Sequence, residues 1–318
     1  MKSQTKTVPS LTLETIGARV AAEGLRVSAR TLRRYHLSLQ TRGFVVLSGI
    51  SGTGKTWLAE AYARATGAEV LVAPVAPNWT SNEDLLGFHS PLDGGQYYHT
   101  PVSHFLLRAA EAQAAATAVG MEARQFHLVL DEMNLARVEH YFAQFLSIME
   151  VNARGGAAMI RLGPDLQVPF PSNLSVIGTV NVDETTHDFA DKVYDRAQLI
   201  ELQVTREELA SHLAGQPHAE ILLSLWDAVS DVTPFAFRVM DEITRYMAAA
   251  TAIGLDPYEA LDDAVLQKIL PKLRGTDSRL LGVLSDVLQV TEETLPMSHA
   301  RVKRMHASGM HHGFVSFH

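Results

Sequence analysis

Gly49-Ile50-Ser51-Gly52-Thr53-Gly54-Lys55-Thr56 is the stretch that decides the fold. It follows an apolar, β-branched run, Gly43-Phe44-Val45-Val46-Leu47-Ser48, and precedes a helical stretch from Trp57 to Thr66 closed by Gly67. The pattern is G-x-x-x-x-G-K-[ST], and a strand before it with a helix after it is the context that the motif requires. Glycines let the backbone curl so that its N–H groups face phosphate oxygens. The helix that follows adds the positive end of its dipole. Lys55 is expected to reach the β- and γ-phosphates of a nucleoside triphosphate, and the Thr56 hydroxyl to ligate Mg²⁺. The expected nucleotide-binding residues are therefore Gly49, Ser51, Gly52, Thr53, Gly54, Lys55, Thr56 and Trp57.

Working outward, a second apolar run ends in two acids: Leu128-Val129-Leu130-Asp131-Glu132. A strand of this kind puts its terminal carboxylates at the carboxyl edge of a parallel sheet, beside the phosphates. Asp131 is expected to hold the metal shell and Glu132 to polarise the attacking water as general base. Buried strands often end in acids, so the signal gains its weight from lying about 75 residues after the glycine loop. A further apolar run, Leu174 to Asn181, ends in a neutral amide, which can position water without adding repulsive charge. Asn181 as an ordinary strand-ending turn residue is the competing reading. Asp183 and Glu184 behind it read as supporting polar groups or as caps of the next turn.

Two arginines stay open on residues alone. Arg196, at the end of a short helix, reads either as a cation given to a neighbouring subunit's transition state or as the partner of Asp195 or Glu201. Arg238, in Phe235-Ala236-Phe237-Arg238-Val239, reads either as a group reaching the γ-phosphate or as a stem covering apolar surface.

Strands alternating with helices to about residue 204 predict a parallel α/β sheet. Residues 11–41 read as helical with a break near Gly24, and 76–103 as irregular, with Ser81 and Asp84 able to cap a short run. Helices are expected over His104–Ala118 and Leu135–Glu150, and a hairpin around Gly163-Pro164-Asp165. Thr205-Arg206-Glu207-Glu208 is a capping box, and helical periodicity runs from it to about Ala307. The expected organisation is a leader at 1–42, an α/β domain at 43–204 and a helical lid at 205–318.

Composition sets the outer limits. The chain has 318 residues, no cysteine and a net charge of −8, so disulfides and thiolate metal sites are excluded. No uninterrupted apolar run approaches membrane-spanning length, and Met1-Lys2-Ser3-Gln4 lacks a signal core, so a cytoplasmic protein with no membrane partner is expected. Charge is uneven: residues 1–43 carry +6, including Lys2 and Lys6, which leaves −14 on the remainder. That acidic body argues against a direct grip on duplex DNA. The basic leader could touch nucleic acid or a partner, but a solvated helix packed on the acidic body is the preferred reading. His306, His311, His312 and His318 read as surface or core residues rather than metal ligands. Trp79, Tyr97 and Tyr98 could stack on a base or a partner, with burial under the irregular segment preferred.

The chain resembles the AAA+ motor module of the McrB type, within the wider clade of dynein-related and MoxR ATPases. The stretches that carry the resemblance are Gly49–Thr56, Pro77–Gly87, Leu130–Arg137, Ile177–His187 and Gln267–Gly275. The resemblance implies a parallel α/β AAA+ P-loop domain with an all-helical lid, assembled as a hexamer. It places Asn181 at the sensor-1 position, Arg196 at the trans arginine finger and Arg238 at the lid sensor. It also implies ATP or GTP hydrolysis with Mg²⁺, and a McrC-like nuclease partner in bacterial defence that restricts foreign or modified DNA. Two departures matter. Only about 42 residues precede the first core strand, so a DNA-reading domain is not expected and DNA would be met only through the partner. The GTP-using members carry M-N-x-x-D, whereas here Val180 replaces the Met and Glu184 stands at the Asp position, so ATP is favoured over GTP. A MoxR-like protein remodeller and a nucleotide-gated assembly switch with little turnover are the alternatives.

Overall fold

The computed structural model describes residues 11–90, 92, 94–163, 165–183 and 186–318. Met1 to Gln4, Lys6, Pro164, Glu184 and Thr185, which the sequence reading used, lie outside the described residues. The chain divides into two compact units. One takes residues up to Gly49 and Gly54–Leu202; the other takes Ile50–Thr53 and Gln203–His318.

The first unit is built on five parallel strands: β1 (Phe44–Gly49), β2 (Glu69–Pro74), β5 (Phe126–Asp131), β8 (Leu174–Asn181) and β9 (Gln198–Glu201), in the order β2-β5-β8-β1-β9. Alternation explains why the central strands are apolar at almost every position. Phe44, Val46, Leu128, Leu130 and Val176 face one core, while Val45, Leu47, Val129 and Ile177 face the other. A sheet covered on both faces needs such uninterrupted runs. One cover includes α5 (Pro101–Val119), whose Phe105 and Leu106 are fully buried. The other comes from α1 (Leu13–Ala22), α2 (Ala29–Thr41) and α3 (Lys55–Thr66).

The helix predicted over Leu135–Glu150 is instead broken into a 3-10 turn at Met133–Leu135, α6 (Val138–Tyr141) and α7 (Ala143–Ala153). The backbone N–H of Gln144 leaves the helical ladder to donate to Asn82 Oδ1 at 3.0 Å, and the Tyr141 hydroxyl donates to Met133 O at 2.8 Å. The segment read as irregular contains α4 (Asn82–Leu86), capped reciprocally by Ser81 and Asp84, and the antiparallel hairpin β3 (Gly87–Ser90) with β4 (Gln96–His99). Gly94 and Gly95, both with positive φ, make its turn, so the residues that looked like loop are what let two short strands pair. In this segment Trp79 packs edge-on against Tyr141 with ring centres 5.2 Å apart. Tyr97 is half-buried, but Tyr98 is 40% exposed and stacks on the exposed Phe88, against the expectation of burial. A second hairpin pairs β6 (Met159–Arg161) with β7 (Gln167–Pro169). Strand β9 went unpredicted: it has four residues on the sheet edge and buries only Ile200.

The leader packs on α3 through Arg19, which donates to Ala65 O at 2.7 Å, and through the ion pair of Glu23 with Arg64 at 2.6 Å. The arginines of α2 do not follow that pattern: Arg30, Arg33 and Arg34 are exposed and make no ion pair among the described residues.

His127 on β5 is 4% exposed, lies parallel to the Tyr62 ring at 5.9 Å, and its Nδ1 has no partner among the described residues. Burial pushes its pKa from 6.5 down to about 4. An unfolded chain takes up this proton below about pH 6.5, whereas the native chain waits until about pH 4. Stability from this group is therefore complete above pH 6.5, falls through that window, and is lost by about 3 kcal/mol in all. Denaturant titrations from pH 7 to pH 4 should show that slope, and His127→Gln should flatten it.

The second unit is helical: α9 (Arg206–His212), α10 (Ala219–Val229), α11 (Phe237–Ala252), α12 (Pro257–Lys268), α13 (Leu280–Thr291) and α14 (Pro296–His312). Leu225, Met240, Ile243, Leu261, Leu284 and Val302 are among its fully buried core residues. Buried Asp262 accepts from the N–H groups of Met297 and Ser298 at 2.7 and 2.8 Å, which satisfies the start of α14. His306 Nε2 lies 3.2 Å from Ser285 Oγ, and no cluster of metal-ligating side chains occurs among the described residues. No helix among them is long and apolar enough to cross a membrane.

Candidate functional site

The parallel register brings the sequence-predicted residues to one edge of the sheet. Gly49 pairs with Asn181, and Leu130 with Gly178, so Asp131 stands level with Thr179 and β1, β5 and β8 end their chemistry-bearing residues together. Gly52 and Gly54 both take φ of 86°, a left-handed value that side chains disfavour and that turns backbone N–H groups inward. Gly54 caps α3, and Lys55 and Thr56 stand in its first turn. Lys55 is 6% exposed, and its Nζ donates to Gly49 O at 2.9 Å. Trp57 is 42% exposed.

Thr56 Oγ1 donates to Asp131 Oδ1 at 2.5 Å, although the two lie 75 residues apart. Glu132 follows with φ 52° and ψ 50°, the one non-glycine residue with positive φ among the described residues. Such a value is uncommon outside glycine, asparagine and aspartate, and it persists only where neighbours over-determine it. Thr179 and Asn181 of β8 both contact this turn. The Glu132 N–H donates to Thr179 Oγ1 at 2.9 Å, and Asn181 Nδ2 makes a long contact of 3.5 Å with Glu132 Oε1. The same Thr179 hydroxyl donates to Asp131 Oδ1 at 2.7 Å. Thr179, 1% exposed, is thus a shared hinge-pin of both acids that the sequence reading missed, because a threonine in an apolar strand reads as a β-branched filler.

Other predicted residues sit differently. Arg196 stands two residues before Gln198, the first residue of β9, which pairs with Val45 near the start of β1. It therefore lies at the opposite edge of the sheet from Gly49, on the order of 15 Å or more at strand rise. Its partner is neither Asp195 nor Glu201. It is ion-paired to Glu150, and it donates to Leu146 O at 3.0 Å and Lys192 O at 2.8 Å. Within the helical unit, Arg238 Nη1 donates to Ser51 Oγ at 3.1 Å from the first turn of α11, so it is not simply a stem laid on apolar surface. In the same unit, a Cβ on Gly52 would stand 2.7 Å from Arg238 Cβ, so that position needs glycine on two counts. Asp183 is exposed. A hollow of the α/β unit, about 1220 Å³, lies at the other end of the strands beside Gly43, His127 and Ser175; of the predicted site residues it takes in only Arg196.

The donors at this edge suit a small hard cation: the Thr56 hydroxyl and the Asp131 carboxylate converge 2.5 Å apart, both of them oxygen ligands.

Against known protein families, residues 44–197 match the AAA domain (dynein-related subfamily), and residues 216–314 match a domain of unknown function (DUF8727). No curated protein matches the chain. An AAA domain implies a P-loop NTPase that binds nucleotide and usually Mg²⁺. The match over 44–197, the parallel five-stranded sheet and the helical region that follows it in sequence give the chain an α/β AAA+ fold with a helical lid, and they support an AAA+ ATPase.

Proposed function

We propose that the chain is a Mg²⁺-dependent nucleoside triphosphatase, using ATP in preference to GTP, that works in the cytoplasm as a hexameric ring and drives or gates a McrC-like nuclease. The observation that carries the catalytic part is the Thr56–Asp131–Thr179–Glu132 chain of hydrogen bonds beside the glycine loop. In this reading the loop from Gly49 to Trp57 holds the phosphates and Lys55 neutralises them. Thr56 and Asp131 hold the metal, which when bound spreads charge off the phosphate oxygens. Glu132 takes a proton from the attacking water, with Asn181 orienting that water. Arg238 contacts the γ-phosphate of its own chain. Arg196, remote from its own loop, serves the neighbouring subunit, a role worth on the order of 10³–10⁵ in rate in the best cases. The partner and the defence role rest on resemblance in Leu130–Arg137 and Ile177–His187. The −14 charge outside the leader supports DNA being met only through that partner.

The test is phosphate release from ATP and GTP, with and without chelator, for the wild-type chain and for Lys55→Ala. Turnover is expected with ATP above GTP, and is expected to vanish with chelator and in the variant. Calorimetry showing that neither triphosphate binds in the presence of Mg²⁺ would end the reading. The partner is tested separately, by whether a co-expressed nuclease subunit copurifies and raises turnover.

A further inference from the structure

Helix α2 presents an arginine stripe that no acidic side chain meets among the described residues. Arg30, Arg33 and Arg34 are exposed at i, i+3 and i+4, and Leu37, 54% exposed, continues the same face. The opposite face buries Leu32 and Tyr35. The helix, Ala29–Thr41, contains no acidic residue. Like charges at these spacings weaken a helix, so the arrangement is unfavourable unless an anionic surface meets it.

A second surface of the same unit has the opposite character. Asp188, Asp191 and Asp195 are exposed on and around α8 (Asp191–Tyr194), with the exposed Lys192 among them. None of the three acids makes an ion pair among the described residues. Among them stand Tyr194, 51% exposed, and Leu199, 53% exposed. Each surface therefore pairs unmet charge with an exposed apolar side chain, which is the make-up of a protein interface with a polar rim.

We propose that the Arg30-Arg33-Arg34 stripe docks on the Asp188-Asp191-Asp195 patch of a second copy of this chain. Two different surfaces joined in this way make a head-to-tail contact, which closes into a ring if the rotation allows. The composition favours this occupant over nucleic acid. The −14 elsewhere repels a polyanion but complements the stripe. The inference rests on the ring reading given above and names the charged seam of that ring.

The test is charge exchange, read by sedimentation velocity with Mg²⁺ and a non-hydrolysable ATP analogue. Melting curves establish that each variant is folded. One variant carries Arg30→Glu, Arg33→Glu and Arg34→Glu; the other carries Asp188→Arg, Asp191→Arg and Asp195→Arg. Each alone should associate at least tenfold more weakly than wild type, since reversal replaces attraction by repulsion across the seam. Mixed in equal amounts they should assemble again, because each stripe then meets a patch of opposite sign in alternating subunits. A mixture that stays monomeric while wild type assembles overturns the seam and leaves the ring standing. A wild-type chain that never assembles overturns both. Unchanged assembly of the arginine variant, with loss of duplex DNA binding instead, overturns the proposal in favour of a nucleic-acid face.

Discussion

Glu132→Gln should lower turnover by at least about 100-fold while nucleotide still binds, as expected when a positioned general base is lost. The change keeps side-chain length and removes only the ability to take a proton. The left-handed turn at residue 132 is held through the backbone N–H and Thr179, which the substitution leaves alone. The fold should therefore survive, and melting temperature should move little. Single-turnover phosphate release, set beside a fluorescent-nucleotide titration, separates the two effects. Equal loss of binding and turnover would instead place Glu132 in ground-state binding. A residual rate like that of wild type would remove the residue from the reaction.

The second large effect is expected at Thr179, which the sequence did not mark. Valine has the shape of threonine but no hydroxyl. Thr179→Val leaves the Glu132 N–H without its partner and withdraws one of two hydroxyls donating into Asp131 Oδ1. A buried donor left unmade costs about 1–3 kcal/mol. Part of that should appear as lower stability, but the larger share should appear in kcat, because Asp131 and Glu132 both lose a fixed orientation. We expect kcat to fall about 10- to 100-fold, with the apparent KM for nucleotide changing much less, since the glycine loop and Lys55 are untouched. Thr179→Ser keeps the hydroxyl and should restore most of the rate. If Ser and Val lose rate equally, the methyl group and its packing matter, and the hydroxyl does not.

Much of this architecture was readable because it is written in local patterns. The runs at Phe44–Gly49, Phe126–Asp131 and Leu174–Asn181 are apolar on both faces of the sheet, and the turn chemistry of Gly52 and Gly54 is explicit in the motif. What escaped depended on contacts distant in sequence. The break between α6 and α7 is made by Asn82, 62 residues from Gln144, and no local signal announces it. Strand β9 is short and half-exposed, so its existence comes from pairing with β1 rather than from its own composition. The hairpin of β3 and β4 was hidden by glycines that read as loop. Thr179 acts across 47 and 48 residues, and its role comes only from the register of β8 beside β5. Arg196 was recognised as a candidate, but its partner Glu150 is 46 residues away rather than among its neighbours.

The left-handed turn at Glu132 also restricts how this position can vary over time. Isoleucine or valine there would strain the backbone as well as abolish the carboxylate, so such lineages lose stability along with the proposed chemistry. Glutamine removes only the chemistry. Under the role proposed for Glu132, a folded copy that holds nucleotide without turnover is therefore one conservative exchange away, and in the proposed ring such a subunit would dilute the active ones without dismantling the assembly.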